Sequence, residues 1–132
     1  INGLINYLNE LGGIDILINN AGKTEDNLLM RMSDNQWEDV MMVNLSSIMR
    51  LTKGVIKGMV KKRWGRIINI SSILGKEGDG RPWFMMAKAS ENAMIKSYSH
   101  NKRYTNRGIT FNTVSPGGIY IKDTGYEIEK KK

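Results

Sequence analysis

Hydrophobic residues at the start of the chain follow first a helical pattern and then a strand pattern. Apolar residues between Leu4 and Leu11 recur at helical spacing, and the glycine pair at 12–13 predicts that this helix ends there. Residues 14–18 then form a nearly continuous apolar run rich in β-branched side chains. Such a run is typical of a short strand that is buried on both faces of a sheet.

A second and longer helical pattern begins at Ser33 and continues to about Lys62. Gln36 lies three residues after Ser33, which is the signature of a capping box. The apolar stripe of this helix consists of Trp37, Val40, Met41, Ile48, Leu51, Val55 and Met59. Asn44 lies on the same stripe. Because a buried amide must be hydrogen-bonded, Asn44 either satisfies a local backbone group or belongs to a functional site.

Two further strands and one further helix complete the pattern. Residues 67–70 form an apolar run that ends in the serine pair at 71–72. A helix is expected from Phe84 to Tyr104, and a third strand from Ile109 to Val114. The order α-β-α-β-α-β indicates parallel βαβ units with right-handed crossovers, and therefore a doubly wound α/β fold.

Polar turns follow each of the three predicted strands. They are Asn-Asn-Ala-Gly at 19–22, Ser-Ser at 71–72 and Pro-Gly at 116–117. Because parallel strands all end at one edge of a sheet, these turns converge there, and we expect a ligand to bind at this edge.

Composition and charge limit the chemistry that this chain can carry. The 132 residues are 40% hydrophobic and 25% charged, which is typical of one globular domain. The absence of cysteine excludes disulfides, thiolate zinc sites and cysteine nucleophiles, and a single histidine, His100, predicts neither a catalytic triad nor a metal site. The net charge of +7 indicates either an acidic partner or lysines on a solvated face.

The sequence also carries information about location. No apolar segment approaches the roughly 20 residues of a membrane span, and no signal peptide is recognisable at the start, so a cytoplasmic protein is expected. The first residue is Ile1 rather than Met and already lies in a helical pattern. We therefore expect the natural start of the protein to lie upstream.

Five features in order resemble the short-chain dehydrogenase/reductase family. They are the turn at 19–22 after a strand, Asn44 within a helix, Ser72 after the next strand, Lys88 near the start of the following helix, and the Pro-Gly pair at 116–117. Within the family, the resemblance is greatest to bacterial 3-oxoacyl-[acyl-carrier-protein] reductases of fatty-acid biosynthesis. It is carried by four stretches, at 26–32, 44–47, 61–70 and 107–110.

This resemblance implies a partial Rossmann-like sheet of three strands with flanking helices. Residues 1–118 would form the central part of a reductase domain, and residues 119–132 a divergent, frayed tail. The N-terminal βα unit, whose glycine-rich turn binds the cofactor phosphates in this family, has no counterpart in the sequence. We therefore expect one wall of a cofactor site, and weak binding of NADPH.

The activity implied by the resemblance is the NADPH-dependent reduction of a 3-oxoacyl-[acyl-carrier-protein] to the 3-hydroxyacyl form. Asn44 matches the residue that holds a proton-relay water, and Ser72 matches the residue that hydrogen-bonds the carbonyl oxygen. Lys88 matches the lysine that binds the nicotinamide ribose and lowers the pKa of a catalytic tyrosine. Phe84 stands at the position of that tyrosine, four residues before Lys88, so impaired activity is expected.

The resemblance also assigns binding residues. The cofactor-binding positions are Asn19, Ala21, Gly22, Lys88, Pro116 and Gly117. Arg63 and Arg107 match arginines that dock acyl carrier protein, an acidic partner, although the alternative of solvated charges remains open. No nucleic-acid partner and no metal are predicted.

Assembly is a further implication. In the family, helices matching 33–62 and 84–104 pack against their copies in a tetramer. The methionines of these helices could serve the contacts between subunits or simply fill the core. They are Met41, Met42, Met49, Met59, Met85, Met86 and Met94. The alternative function is a non-catalytic chain for assembly or carrier-protein binding, which Phe84 and the missing phosphate loop would suit.

Overall fold

The computed structural model describes residues 1–25, 27–77 and 81–119. The helices are α1 (Asn2–Glu10), α2 (Asp34–Met41), α3 (Ser47–Lys62), α4 (Pro82–Ser99) and α5 (Lys102–Thr105). The strands are β1 (Ile16–Asn19), β2 (Gly65–Ile70) and β3 (Ile109–Val114). A π turn (Met42–Ser46) joins α2 to α3, and 3₁₀ turns cover Leu29–Arg31 and Ile73–Gly75. The predicted tail lies outside the described residues from residue 120 onward.

The sheet has three parallel strands in the order β1-β2-β3. Ile16 of β1 lies opposite Arg66 of β2, and Gly65 of β2 lies opposite Ile109 of β3. Helices connect the strands in both crossovers, so the predicted partial Rossmann-like fold is confirmed.

The core lies between the helices and one face of this sheet. Its buried residues come from α3, α4, β2 and β3, and are Val55, Met59, Ile67, Ile95, Ile109 and Phe111. Tyr98 and Tyr104 pack beside Phe111, with ring centroids 5.4 and 5.6 Å from the phenylalanine ring. Both tyrosines therefore belong to the core rather than to the strand ends.

The opposite face of the sheet is uncovered in the described residues. Ile16, Ile18 and Val114 are 52%, 58% and 51% exposed, so the prediction that residues 14–18 are buried on both faces is wrong for this part of the chain. The reason is topological. Each new strand is added on the same side of the sheet, and right-handed crossovers then place both connecting helices on the same face.

The helix predicted from Ser33 to Lys62 is present but is not uniform. Its capping box forms as expected, since the Ser33 side chain accepts a hydrogen bond from the Gln36 backbone and Gln36 bonds back to the Ser33 backbone. The π turn then interrupts it and contains Asn44. A π turn adds a residue to one helical turn, so it changes the direction of the side chains that follow.

The helix predicted from Phe84 to Tyr104 is two helices. It begins two residues earlier, at Pro82, and α4 ends at Ser99. The Asn101 side chain then accepts a hydrogen bond from the Arg103 backbone and caps α5. Because asparagine favours helix N-termini, this local capping outweighs the apolar periodicity that suggested a single helix.

Candidate active site

Asn44 connects the helix layer to the turn that follows β1. Its side chain is fully buried, and its Nδ2 donates hydrogen bonds to the carbonyl oxygens of Lys23 (2.7 Å) and Val40 (2.8 Å). Its Oδ1 accepts a hydrogen bond from the Lys23 backbone at 3.1 Å. The amide thus satisfies local backbone groups, as one interpretation of the sequence held, and those groups include the backbone of the turn after β1.

Gly22 lets this turn approach Asn44 and Lys88 closely. A Cβ atom at position 22 would lie 3.2 Å from Asn44 Oδ1 and 3.8 Å from Lys88 Nζ. Ala21 and Gly22 are themselves exposed. The exposed backbone of the turn at Ala21 and Gly22 therefore lies directly beside the Asn44 amide and the Lys88 ammonium.

The two serines after β2 differ in the use of their hydroxyl groups. Ser71 is buried, and its Oγ donates to the Lys88 carbonyl oxygen at 3.2 Å. Ser72 is half-buried, and its Oγ accepts a hydrogen bond from the Leu74 backbone at 3.2 Å. Within the described residues the Ser72 hydroxyl proton has no acceptor, so Ser72 can donate to a bound oxygen.

Lys88 is buried at the carboxyl edge of the sheet. Its Nζ donates to the carbonyl oxygen of Ile70, at the end of β2, at 3.2 Å. The Phe84 ring, one helical turn earlier, has its centroid 5.6 Å from the same Nζ. Positions 84 and 88 therefore share one face of α4, as the spacing predicts, but a phenyl ring has no proton to donate.

The turn after β3 joins the same site. The carbonyl oxygen of Pro116 accepts a hydrogen bond from the Ile73 backbone at 3.0 Å, and Ser71 N donates to the Val114 carbonyl at 2.8 Å. Gly117 is exposed, and a Cβ there would meet nothing within 4 Å. The three polar turns thus converge at one edge, as the topology predicts.

The side chain of Asn19, the last residue of β1, is hydrogen-bonded within the sheet. Its Nδ2 donates to Asn69 Oδ1 at 2.8 Å, across the β1–β2 pair, and both side chains are buried on the covered face of the sheet. A cofactor contact by Asn19 would therefore use its backbone rather than its side chain.

Gly75 has a packing role that the sequence does not show. The sequence predicts a flexible glycine-rich loop that also contains Gly78 and Gly80, which lie outside the described residues. A Cβ on Gly75 would lie 2.9 Å from the Lys88 carbonyl carbon and 3.0 Å from its oxygen. Glycine therefore allows the turn that follows Ser72 to pack directly on α4 beside Lys88.

Two residues of this region were missed from the sequence. Trp83 is buried, and its Nε1 donates to the Glu25 carbonyl oxygen at 3.1 Å, which fixes the start of α4 against the loop after β1. Glu91 is fully buried, and its Oε1 lies 2.8 Å from Lys88 Nζ. The i,i+3 spacing of Lys88 and Glu91 was the available signal for this pair.

Burial sets the titration of Glu91. Desolvation raises the pKa of its carboxyl group above the usual 4.5, and the Lys88 ammonium partly opposes this. Between the ordinary and the raised pKa, the folded protein holds more protons than the unfolded chain, so the free energy of unfolding falls as pH rises through this window. Denaturant unfolding measured at increasing pH from 4.5 upward should show this decline, and Glu91→Gln should flatten it. An identical pH profile for both proteins would contradict the prediction.

Arg63 and Arg107 lie at the opposite edge of the sheet, just before β2 and β3. Together with Lys57 and Lys61 they line a cavity of about 690 Å³ beside Gly54 and Gly58 of α3. The strands are six residues long, which separates this basic cavity from the Lys88 edge by roughly 20 Å. The structure thus brings the two arginines together and adds two lysines to them.

Neither a metal site nor a membrane span is found in the described part of the chain. Residues 1–25, 27–77 and 81–119 contain no group of three or more His, Asp or Glu side chains able to hold a metal ion. Among the helices α1 to α5, none has the length and apolar character to cross a bilayer.

Comparison with known proteins places the chain in a family. The model of the short chain dehydrogenase family matches residues 3–132. The chain belongs to the short-chain dehydrogenase family. A solved short-chain dehydrogenase/reductase family oxidoreductase from Burkholderia thailandensis matches with a TM-score of 0.82 at 26% identity, covering 98% of this chain and 50% of that protein.

Curated relatives within the short-chain dehydrogenase family are similar in sequence. The chain is 51% identical over 111 residues to the 3-oxoacyl-[acyl-carrier-protein] reductase FabG of Vibrio cholerae, covering 83% of this chain and 45% of that protein. It is 50% identical over 125 residues to the FabG of Haemophilus influenzae, covering 94% and 51% respectively. The chain thus spans about half the length of the relatives it matches.

Proposed function

We propose that this chain forms the catalytic wall of a 3-oxoacyl-[acyl-carrier-protein] reductase, with Phe84 in place of the proton donor. The observation that carries the proposal is the cluster at the carboxyl edge, where buried Lys88 and Asn44 flank the open turn at Gly22. The hydroxyl proton of Ser72, which has no acceptor among the described residues, and the names of the relatives support the same chemistry.

The proposed roles follow from these contacts. Ser72 donates a hydrogen bond to the ketone oxygen of the substrate, which stabilises the charge that develops there. Lys88 offers an N–H group to a ribose hydroxyl, and Asn44 holds the turn after β1 in place. NADPH, when bound, supplies the hydride.

The residues present fit one wall of such a cofactor site. This wall consists of the backbone of Asn19, the open turn at Ala21 and Gly22, Lys88, and Pro116 with Gly117. None of the three described strands is followed directly by a glycine-rich turn and helix N-terminus that could take the pyrophosphate. We therefore expect the isolated chain to bind NADPH weakly or not at all.

The basic cavity is the proposed docking surface for acyl carrier protein, an acidic partner. Its four cations, contributed by Lys57, Lys61, Arg63 and Arg107, lie together in the structure and account for part of the net charge of +7. Charge complementarity of this kind steers association and weakens with added salt.

We also propose the homo-oligomer that is expected for the family. Met42, Met49 and Met86 are exposed on the segments that would make its contacts, whereas Met59 is buried in the core.

Binding of acyl carrier protein to the isolated chain tests the docking part of this proposal. Arg63→Glu combined with Arg107→Glu should weaken binding at least about tenfold at low salt, since like charges then face the acidic partner. The matched control is Lys53→Glu with Lys96→Glu, because these exposed lysines lie outside the basic cavity. Isothermal titration would contradict the proposal if both double variants bind equally.

The second candidate is a non-catalytic chain that binds carrier protein or assembles with an intact reductase. Phe84 favours it, because a phenyl ring cannot donate the proton that reduction requires. In that case the chain should bind acyl carrier protein or co-elute with an intact reductase while reducing no acetoacetyl thioester. A chain that ignores both proteins has no such role.

A further inference from the structure

The side chains of Lys88 and Glu91 form a buried ion pair inside the proposed site. Lys88 is 4% exposed and Glu91 is fully buried, with 2.8 Å between Nζ and Oε1. Neither carboxyl oxygen of Glu91 makes a hydrogen bond to a described residue, so the contact with Lys88 is that of an ion pair. Removing two ions from water is costly, and well-packed apolar residues at these positions would avoid that cost.

The pair determines what Lys88 can still bind. An ammonium group has three N–H donors. One is directed to the Ile70 carbonyl oxygen, and the ammonium also lies 2.8 Å from Glu91 Oε1, so the pair restricts the donors that can reach a ligand near Gly22. The Glu91 carboxylate, in direct contact with the Lys88 ammonium, also neutralises its positive charge.

Apart from Glu91, the described side chains in contact with Lys88 are uncharged. The ring of Phe84 lies beside the ammonium, the Ser71 hydroxyl donates to the backbone carbonyl of Lys88, and Asn44 Oδ1 lies next to the same turn at Gly22. The nearest turn carries Lys23, whose ammonium is paired with Glu25 and Asp39 at 2.8 and 2.7 Å. Among the described residues, Glu91 is therefore the charge in contact with the Lys88 ammonium.

We propose that Glu91 is a positioning residue of this site, which fixes the Lys88 ammonium against the end of β2 and neutralises its charge. A hydroxyl group placed at position 84 would then face an ion pair instead of a free ammonium. This proposal deepens the proposed reductase function and rests on it for the role of Lys88. The pairing itself is a property of the chain alone and can be measured without substrate or cofactor.

A phenol introduced at position 84 reports the charge of Lys88 directly. In the Phe84→Tyr chain, the new phenol should ionise like that of a free tyrosine derivative, because Glu91 cancels the attraction of Lys88. Adding Glu91→Gln leaves the ammonium unmatched, and the phenolate-to-phenol ratio at about pH 9 should rise at least about tenfold. Near-ultraviolet difference titration against the parent chain isolates the new phenol from the native tyrosines.

Two controls separate this effect from loss of structure. Glu38→Gln removes the same charge from an exposed position on α2, and should leave the phenol titration unchanged. Circular dichroism verifies that each variant is folded. If the Glu91→Gln variant does not fold, the Phe84→Tyr chain alone still tests the proposal. A phenol that ionises like free tyrosine supports neutralisation of Lys88 by Glu91. A phenol that ionises at clearly lower pH overturns the proposal.

The outcomes are distinguishable from those of the reductase proposal. If the phenolate ratio of the folded Phe84→Tyr chain is the same with and without Glu91→Gln, Glu91 does not control the charge at Lys88, and the inference is overturned. A failure of the carrier-binding or turnover experiments would leave the phenol titration unaffected.

Discussion

Lys88→Met should destabilise the protein by about 3–5 kcal/mol, because it leaves the Glu91 carboxylate buried without its partner. The methionine keeps the length and the apolar stem of lysine, so the loss reports the charge rather than the packing. Against a typical total stability of about 5–15 kcal/mol, this is a large effect. Urea unfolding monitored by circular dichroism measures it.

The matched control replaces both charges. Lys88→Met combined with Glu91→Leu should recover most of the loss, since apolar residues of similar volume can replace a buried pair at little cost or with a gain. The single and double variants form a thermodynamic cycle that isolates the pair. A single variant as stable as the parent chain would show that the pair is not buried as described.

The second large effect concerns Phe84. In a hybrid enzyme, residues 1–117 of this chain replace the matching segment of the Vibrio cholerae relative, so that the rest of a reductase surrounds the site. The hybrid that also carries Phe84→Tyr should reduce acetoacetyl thioesters about 10²–10⁴ times faster than the hybrid with Phe84, because a positioned general acid contributes a factor of this size.

The geometry of α4 is the reason for this expectation. Position 84 lies one turn before Lys88, with its ring 5.6 Å from Nζ, so a phenol there lies beside the ammonium at the carboxyl edge. Tyr98→Phe is the control, because the Tyr98 ring packs against Phe111 in the core, and its removal should leave the rate unchanged. In the isolated chain, Phe84→Tyr alone should give no measurable turnover, since none of the described strands offers a turn for the cofactor phosphates and the orientation of the nicotinamide is therefore not fixed.

The order of elements and the convergence of the turns were predictable from sequence because both depend on local patterns and on chain topology. The capping box at Ser33 and the strand from Ile109 to Val114 form where expected. The turns at Gly22, Ser72 and Pro116 converge because all three strands are parallel. These features need no knowledge of how the side chains pack.

The remaining features depend on packing between elements that are distant in the sequence. The π turn at Asn44 is held by hydrogen bonds to Lys23, 21 residues earlier, which periodicity along one helix cannot show. The exposure of Ile18 follows from both crossovers lying on one face. Glu91 was overlooked because a carboxylate in a helix is ordinarily exposed, and only the fold shows that it is buried against Lys88.

The most direct test of the proposed catalytic wall is the rate of NADPH oxidation by the hybrid that carries Phe84→Tyr, with a 3-oxoacyl-[acyl-carrier-protein] as substrate. Turnover that depends on the substrate and on Ser72 is the expected result, since Ser72 is placed to donate a hydrogen bond to the ketone oxygen. A folded hybrid that binds NADPH and the carrier protein but shows no turnover would contradict the assignment of this edge of the sheet as a reductase site.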